Sequence, residues 1–243
     1  MADAVLCMRD VRKAFARTSV LRGVDLELAP GELMGLAGVN GAGKTTLIKC
    51  LLDFCAADAG SIEIFGISSR KPGARRRLAF LPERFAPPYY LTGDDFLAYM
   101  GRLVGREHRP QEVSAMLDEL DFDPAALGRA VRTYSKGMTQ KLGLAATFLA
   151  RRDLYVLDEP MSGLDPKARA CVKQLLRRTK DSGATVLLTS HALADVEEVC
   201  DRMAILHQGV RYFAGTPGGL CDHYGESSVE RAFLKCIAGR VHV

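Results

Sequence analysis

Short apolar runs and stretches of helical spacing take turns along this chain. Leu33–Leu36 is an apolar run entering a glycine-rich turn, and helical spacing follows at Leu47, Ile48, Leu51 and Leu52. Ser61–Phe65 alternates like a strand, and Leu78–Leu81 is a second short apolar run, closed by Pro82. From Thr92 to about Ala150 the pattern turns helical. Val113, Met116, Leu117 and Leu120 mark one apolar stripe there, and Leu142–Leu149 another. Leu154–Leu157 has the length of a buried strand. Asp165-Pro166 reads as a helix start, with Asp as the cap and Pro in the first turn. That helix carries Ala168, Val172, Leu175, Leu176 and Thr179 and ends near Asp181-Ser182-Gly183. Thr185–Leu188 and Met203–Leu206 read as two further buried strands.

Strands separated by helices predict an α/β core with a largely parallel sheet. The helical block, residues 86–150, interrupts that alternation and reads as an inserted subdomain between core segments 1–85 and 151–215. Residues 216–243 look like an appendage ending in a helix around Ser228–Ile237. No internal repeat or low-complexity stretch is visible.

Composition changes this picture little. A chain of 243 residues, 48% hydrophobic, has enough apolar material for one large domain or two small ones. The net charge of +4 is too mild to imply a nucleic-acid partner. The one dense basic cluster is Arg70, Lys71, Arg75, Arg76 and Arg77, and a solvated loop accounts for it more simply than an anionic membrane or nucleic acid. The seven cysteines form no CxxC pair and have no metal-ligand spacing with the five histidines, which points to reduced thiols in a reducing compartment. Met1–Ala4 lacks the basic and apolar regions of a signal peptide, and the most apolar segments fall short of the ~20 residues that a membrane span needs.

The chemistry begins at Gly38-Val39-Asn40-Gly41-Ala42-Gly43-Lys44-Thr45, which fits G-x-x-x-x-G-K-[ST]. Backbone N–H groups must curl around phosphate oxygens, so glycines stand where side chains would block approach or φ must be positive. Lys44 supplies positive charge for the β- and γ-phosphates, the Thr45 hydroxyl is a magnesium ligand, and the helix starting at Lys44 adds its partial positive end. A chance glycine-rich turn is the alternative; a strand before it and a helix after it argue for the phosphate loop. The apolar run Leu154–Leu157 then delivers Asp158-Glu159 to a strand's carboxyl end, where open α/β sheets bind ligands. Asp158 is placed to hold magnesium and Glu159 to polarise an attacking water. Alone, these carboxylates would read as a solvated strand end; paired with the phosphate loop they read as the second half of a site for ATP and magnesium.

In this order of motifs the sequence resembles the nucleotide-binding domains of ABC transporters over nearly its whole length. Tyr134-Ser135-Lys136-Gly137-Met138 stands where that family has its Leu-Ser-Gly-Gly-Gln signature, keeping the serine and the second glycine. Ser162-Gly163-Leu164-Asp165 matches the D-loop, and Ser190-His191 matches the switch histidine. Leu81-Pro82-Glu83 falls at the Q-loop, with Glu for the usual Gln. The resemblance implies a P-loop NTPase core with a small antiparallel N-terminal β part and a helical subdomain. It implies that Phe15 stacks on adenine, that Gly38, Asn40, Gly41, Ala42, Gly43, Lys44, Thr45, Thr46 and Asp165 contact ATP, and that Glu83 joins Thr45 and Asp158 at magnesium. His191 would steady the γ-phosphate, with Glu159 and Lys44 completing the catalytic set. Ser135, a helix cap, and Gly137 would act on the nucleotide of a second subunit. The partners implied are a second copy or a homologous ATPase, and a separately encoded transmembrane permease met through Phe85–Gly105; Pro87-Pro88-Tyr89-Tyr90 reads equally as part of that surface or as a plain surface loop. The chain would sit at the cytoplasmic face of the membrane, with no nucleic acid involved. Tyr-Ser-Lys-Gly-Met followed by Thr139-Gln140-Lys141, Pro82-Glu83 and the ending Ser228–Leu234 are similar to ATPases of ABC-2-type exporters. A soluble non-transport ABC ATPase and a non-hydrolytic regulatory module are the alternatives. The intact Lys44, Asp158, Glu159 and His191 count against the second.

Overall fold

The computed structural model describes residues 4–239; Met1–Asp3 of the chain start and the last four residues of the 216–243 segment lie outside it. Strands β1 (Leu6–Phe15) and β2 (Thr18–Leu28) form an antiparallel hairpin closed between Phe15 and Thr18. With β4 (Ala59–Ile64) and β5 (Ile67–Ser68) they make a four-stranded sheet, order β2-β1-β4-β5. This is the antiparallel N-terminal part that the family resemblance implies.

A second sheet holds β3 (Leu33–Ala37), β6 (Leu78–Leu81), β7 (Leu154–Asp158), β8 (Thr185–Ser190), β9 (Arg202–His207) and β10 (Val210–Gly215). Its order is β10-β9-β3-β8-β7-β6, parallel throughout except for β10. Parallel strands covered on both faces read as unbroken apolar runs, because successive side chains point into two different cores. In β7, Leu154 and Val156 enter one core while Tyr155 and Leu157 enter the other. In β8, Leu187 joins the first and Val186 and Leu188 the second. The first core includes Leu47, Ile48 and Leu51 of helix α1 (Lys44–Leu51) and the buried face of the antiparallel sheet.

The second core is made by helices. Between β6 and β7 lie α2 (Gly93–Leu103), α3 (Pro110–Glu119) and α4 (Lys136–Leu149), which form the helical block read from the sequence. Helix α5 (Pro166–Asp181) starts at the Asp165 cap and buries the stripe Ala168, Val172, Leu175, Leu176 and Thr179. After α6 (Leu193–Val199) the chain adds α7 (Pro217–Tyr224) and α8 (Val229–Ala238). These last helices are not an outlying appendage in packing terms. Leu220, Val229, Ala232, Phe233 and Cys236 enter the same core as β8 and α5, because α8 turns its apolar stripe inward.

The basic cluster departs from a plain loop as well. Pro72–Arg77 winds into a 3-10 helix; Arg77 lies over the Phe65 ring at 3.9 Å and pairs with Asp153 at 2.8 Å. Part of the cluster's charge is thus engaged within the fold. Among the described residues no helix is long and apolar enough to cross a membrane.

Candidate active site

Four neighbouring strands, β3, β8, β7 and β6, run parallel, so their carboxyl ends open on one side of the sheet. Each is followed there by a candidate group: the Gly38–Thr46 loop after β3, His191 after β8, Asp158 and Glu159 at β7, and Glu83 after β6. A cleft of about 520 Å³ is lined by Asn40, Gly41, Ala42, Gly43, Lys44, Thr45, Thr46, Glu83, Asp158, Glu159 and His191, together with Val20 and Val39.

The loop's shape depends on its glycines at two points. A Cβ on Gly38 would lie 2.3 Å from the Leu206 carbonyl oxygen of β9, so the loop can leave β3 this close to its neighbour only without a side chain. Gly43 caps α1 at φ 109°, a left-handed conformation open to glycine. No side chain caps this helix. The first-turn N–H groups of a helix have no intrahelical acceptor, and here they face the cleft with the positive end of the helix dipole. The turn after β9 braces the loop from behind: Gly209 N donates to Ala42 O at 3.0 Å, and Arg22 N of β2 donates to Gly209 O at 2.8 Å.

Lys44 is buried and folds back, its Nζ donating to Gly38 O at 2.6 Å. Burial lowers its pKa from the ordinary lysine value, opposed by the negative charges of Glu159, Asp158 and Glu83. Those carboxylates offset part of what burial costs the charged ammonium.

At the acidic end a threonine links the two carboxylate positions. Asp158 and Thr189 are paired across β7 and β8. Thr189 Oγ1 donates to Asp158 Oδ1 at 2.6 Å and accepts from Glu159 N at 2.9 Å. Thr45 Oγ1 stands 3.3 Å from the other oxygen, Asp158 Oδ2. Glu159 holds φ 51°, an unfavourable backbone conformation for a residue with a side chain, and the bond to Thr189 helps retain it. Its carboxylate meets His191 Nδ1 at 2.8 Å. For a metal, the set offers the Thr45 hydroxyl and the Asp158 carboxylate side by side, the hard oxygen donors magnesium takes when phosphates and waters complete its shell. Among the described residues no group of three or more His, Cys, Asp or Glu could hold a metal by itself.

Ser135, Gly137, Asp165 and Phe15 stand apart from this cleft. Ser135 is exposed and caps α4, accepting from Met138 N at 3.2 Å. Asp165, also exposed, caps α5 by accepting from Ala168 N at 2.9 Å. The two segments are neighbours: a Cβ on Gly137 would lie 3.6 Å from Gly163 O, and the Lys136 stem lies against Gly163. Phe15 is 48% exposed at the tip of the β1–β2 hairpin, with Lys13 Nζ 5.3 Å from its ring centre. It is therefore not core, and its ring stands exposed with the Lys13 ammonium over it.

Sequence reasoning missed three groups here. Thr189 lies near the end of a strand whose sequence signal is an apolar run, and Val20 lies in β2, which that pattern does not single out. Gln140, on α4, donates from a buried position to Pro160 O at 2.9 Å and ties the helix behind Ser135 to the loop after Glu159. A threonine near the carboxyl end of an otherwise apolar strand was the available signal for Thr189.

The model of the family described as ABC transporter matches residues 21–162. The daunorubicin/doxorubicin resistance ATP-binding protein DrrA of Streptomyces peucetius is 36% identical, over 88% of this chain and 66% of its own length. The Nod factor export ATP-binding protein I of Cupriavidus metallidurans is 33% identical, over 90% of this chain and 73% of its own. A solved ATP binding subunit of an ABC transporter superposes with TM-score 0.87 at 30% identity, covering 96% of this chain and 99% of that one. The chain spans 56% of the first of the curated relatives that it matches and 80% of the second. The family match alone covers more than half of the chain, which therefore belongs to the ABC transporter family, among its ATP-binding subunits.

Proposed function

We propose that this chain hydrolyses ATP with magnesium in a head-to-tail pair of cassettes, and that closure of the pair powers an exporter through a separate transmembrane subunit at the cytoplasmic face of the membrane. One observation carries the reading. The phosphate loop, Asp158, Glu159 and His191 converge on one cleft, while Ser135, Gly137 and Asp165 form a surface outside it. A site whose remaining parts lie outside its own cleft calls for a second subunit. The exporter assignment rests on relatives named for drug resistance and Nod factor export.

In this reading the glycine loop and the first turn of α1 bind the phosphates, and Lys44 turns from Gly38 O towards the β- and γ-oxygens. Thr45 and Asp158 hold magnesium, which supplies charge neutralisation at the phosphoryl oxygens when bound. Glu159 accepts the proton of the attacking water, and His191, already 2.8 Å from it, orients that carboxylate and meets the γ-phosphate. Phe15 stacks on the adenine, and Asn40, Ala42 and Thr46 line the phosphate path. Glu83 adds a carboxylate at the metal side. Ser135 and Gly137 present the start of α4 to the partner's γ-phosphate, and Asp165 orders the adjoining loop. Residues 1–85 and 151–215 act as the nucleotide-binding core and 86–150 as the coupling subdomain. Tyr89 and Tyr90, 68% and 70% exposed, are presented to the membrane partner.

Mixing two inactive chains tests the composite site. Lys44→Ala destroys one half and Ser135→Arg the other. Mixed, they restore one intact site per heterodimer and an ATPase rate well above either chain alone. Activity in the mixture no higher than in the separate variants rules out the shared site.

A further inference from the structure

Behind the phosphate-loop helix, away from the cleft, two thiols face each other. Cys50 lies in the last turn of α1 and Cys55 in the loop that follows, with sulfur atoms 3.6 Å apart. Three features make this more than an incidental contact. Cys50 is buried yet lines a cavity of about 220 Å³ with Gly60, Ser61 and Ser69, and Cys55 is half-buried, so small molecules have a way in. Lys13 Nζ, held at 2.7 Å by Asp58, is close enough for its charge to act on both sulfurs. The loop holds Cys55 beside the helix end: Phe54 N and Cys55 N both donate to Lys49 O, at 2.9 and 3.3 Å, while α1 is fixed in the core.

We propose that Cys50 and Cys55 are a modification site, a dithiol that a hydroperoxide oxidises to an intramolecular disulfide. Cys55, the more open sulfur, attacks the peroxide as thiolate; the O–O bond breaks, the sulfur becomes a sulfenic acid, and the departing oxygen takes a proton to leave as water or alcohol. The Cys50 sulfur then attacks the Cys55 sulfur. Its proton joins the departing hydroxide, giving a second water. In sum two thiols and one hydroperoxide give one disulfide, one water and one water or alcohol. The division of labour follows from position. Burial, and then the hydrogen bond with Cys55, push the Cys50 thiol up, while Lys13 draws it down, so Cys50 keeps its proton until the second step. Closing the sulfurs from 3.6 Å to the disulfide length of about 2.05 Å is the approach the second step requires.

The experiment uses the full chain, reduced, desalted and exposed to hydrogen peroxide, then denatured and alkylated. Trypsin cuts after Lys49 and Arg70, which places both cysteines in the single peptide 50–70. That peptide is expected two hydrogens light and without alkyl groups, and dithiothreitol before alkylation restores both. The thiol count falls from seven to five. In Cys50→Ser, Cys55 is expected to stop at the sulfenic acid and take a dimedone tag; in Cys55→Ser, Cys50 takes none. Two alkyl groups on peptide 50–70 after peroxide treatment, or oxygen added to it without a crosslink, overturns the proposal. A Cys50→Ser chain that yields no dimedone adduct overturns the role of Cys55. None of these readouts depends on ATP hydrolysis.

Discussion

Two helix starts in this molecule are built differently. Helix α1 begins at Gly43 with no side-chain cap, buried behind Lys44 and facing carboxylates at neighbouring strand ends. Helix α4 begins at Ser135, exposed and capped by its own hydroxyl, with the open glycine Gly137 in its first turn. The uncapped start leaves N–H groups for a ligand that its own chain encloses. At the capped start one N–H is already satisfied, and the helix end is presented to whatever approaches from outside. In the proposed composite site one half is thus finished within the fold, and the other is a surface.

The finished half should be the more sensitive to change. Glu159→Gln leaves the Thr189 bond to the backbone N–H intact, keeps an amide of the same shape against His191, and removes the carboxylate proposed to take the water proton. Turnover is expected to fall about 10²- to 10⁴-fold, the range for losing a general base, with ATP binding retained. Single-turnover hydrolysis beside equilibrium nucleotide binding measures both. Turnover within a factor of ten of wild type would remove Glu159 from the chemistry.

Thr189→Val sharpens the comparison next, because it alters no group that touches nucleotide. A buried hydrogen bond to a charged group contributes about 1.5–3 kcal/mol, so losing it at Asp158 should lower kcat by about 10- to 100-fold and raise the magnesium needed for half-maximal rate. Thr189→Ser restores the hydroxyl and should recover most of the rate. ATP binding measured in excess chelator should be alike in all three proteins. If the serine variant is as slow as the valine one, the effect comes from packing.

What could be read from the sequence follows the same division. Leu33–Leu36, Leu154–Leu157 and Thr185–Leu188 were legible as strands because burial on both faces leaves no polar break, and Asp165-Pro166 because capping is local chemistry. Thr189 and Gln140 were not legible. Their bonds join residues 31 and 20 positions apart, and only the parallel pairing of β7 with β8 and the docking of α4 bring them together. The packing of α8 into the main core was hidden for the same reason: its stripe predicts a helix but not what the helix covers. Local signals located the phosphate loop and its acidic partner, and tertiary contacts supplied the groups that hold them in register.

The presented half breaks differently. Gly137 has room for a methyl group in the isolated chain, where its Cβ would make ordinary contact at 3.6 Å. Gly137→Ala should leave stability unchanged or raise it by up to ~1 kcal/mol, since alanine favours helix. If a partner's phosphate must approach that helix start, ATPase activity should nevertheless drop about tenfold, as added bulk in a close contact costs about 1–3 kcal/mol. Thermal melting and steady-state rate on one preparation give the two signs. A variant as active as wild type would mean that the α4 start is surface only.

The smallest effect belongs to Glu83, which lies between the two halves in character: it lines the cleft yet is exposed. As a carboxylate it attracts a divalent cation and repels phosphate, and in the free protein its charge also helps hold Lys44 protonated. Glu83→Gln removes all three effects. Exposed charge interactions contribute only about 0.2–1 kcal/mol, so the half-saturating magnesium concentration should rise about twofold to fivefold. Affinity for metal-free ATP should rise by a comparable factor, because the repulsion is gone. The two changes have opposite signs in nucleotide binding with and without magnesium, and that crossing separates a metal-side carboxylate from a residue that merely lines the rim. Superimposable magnesium titrations for the two proteins would assign Glu83 to the rim, and the glutamine usual at this position would then differ from it in charge but not in what it does for the metal.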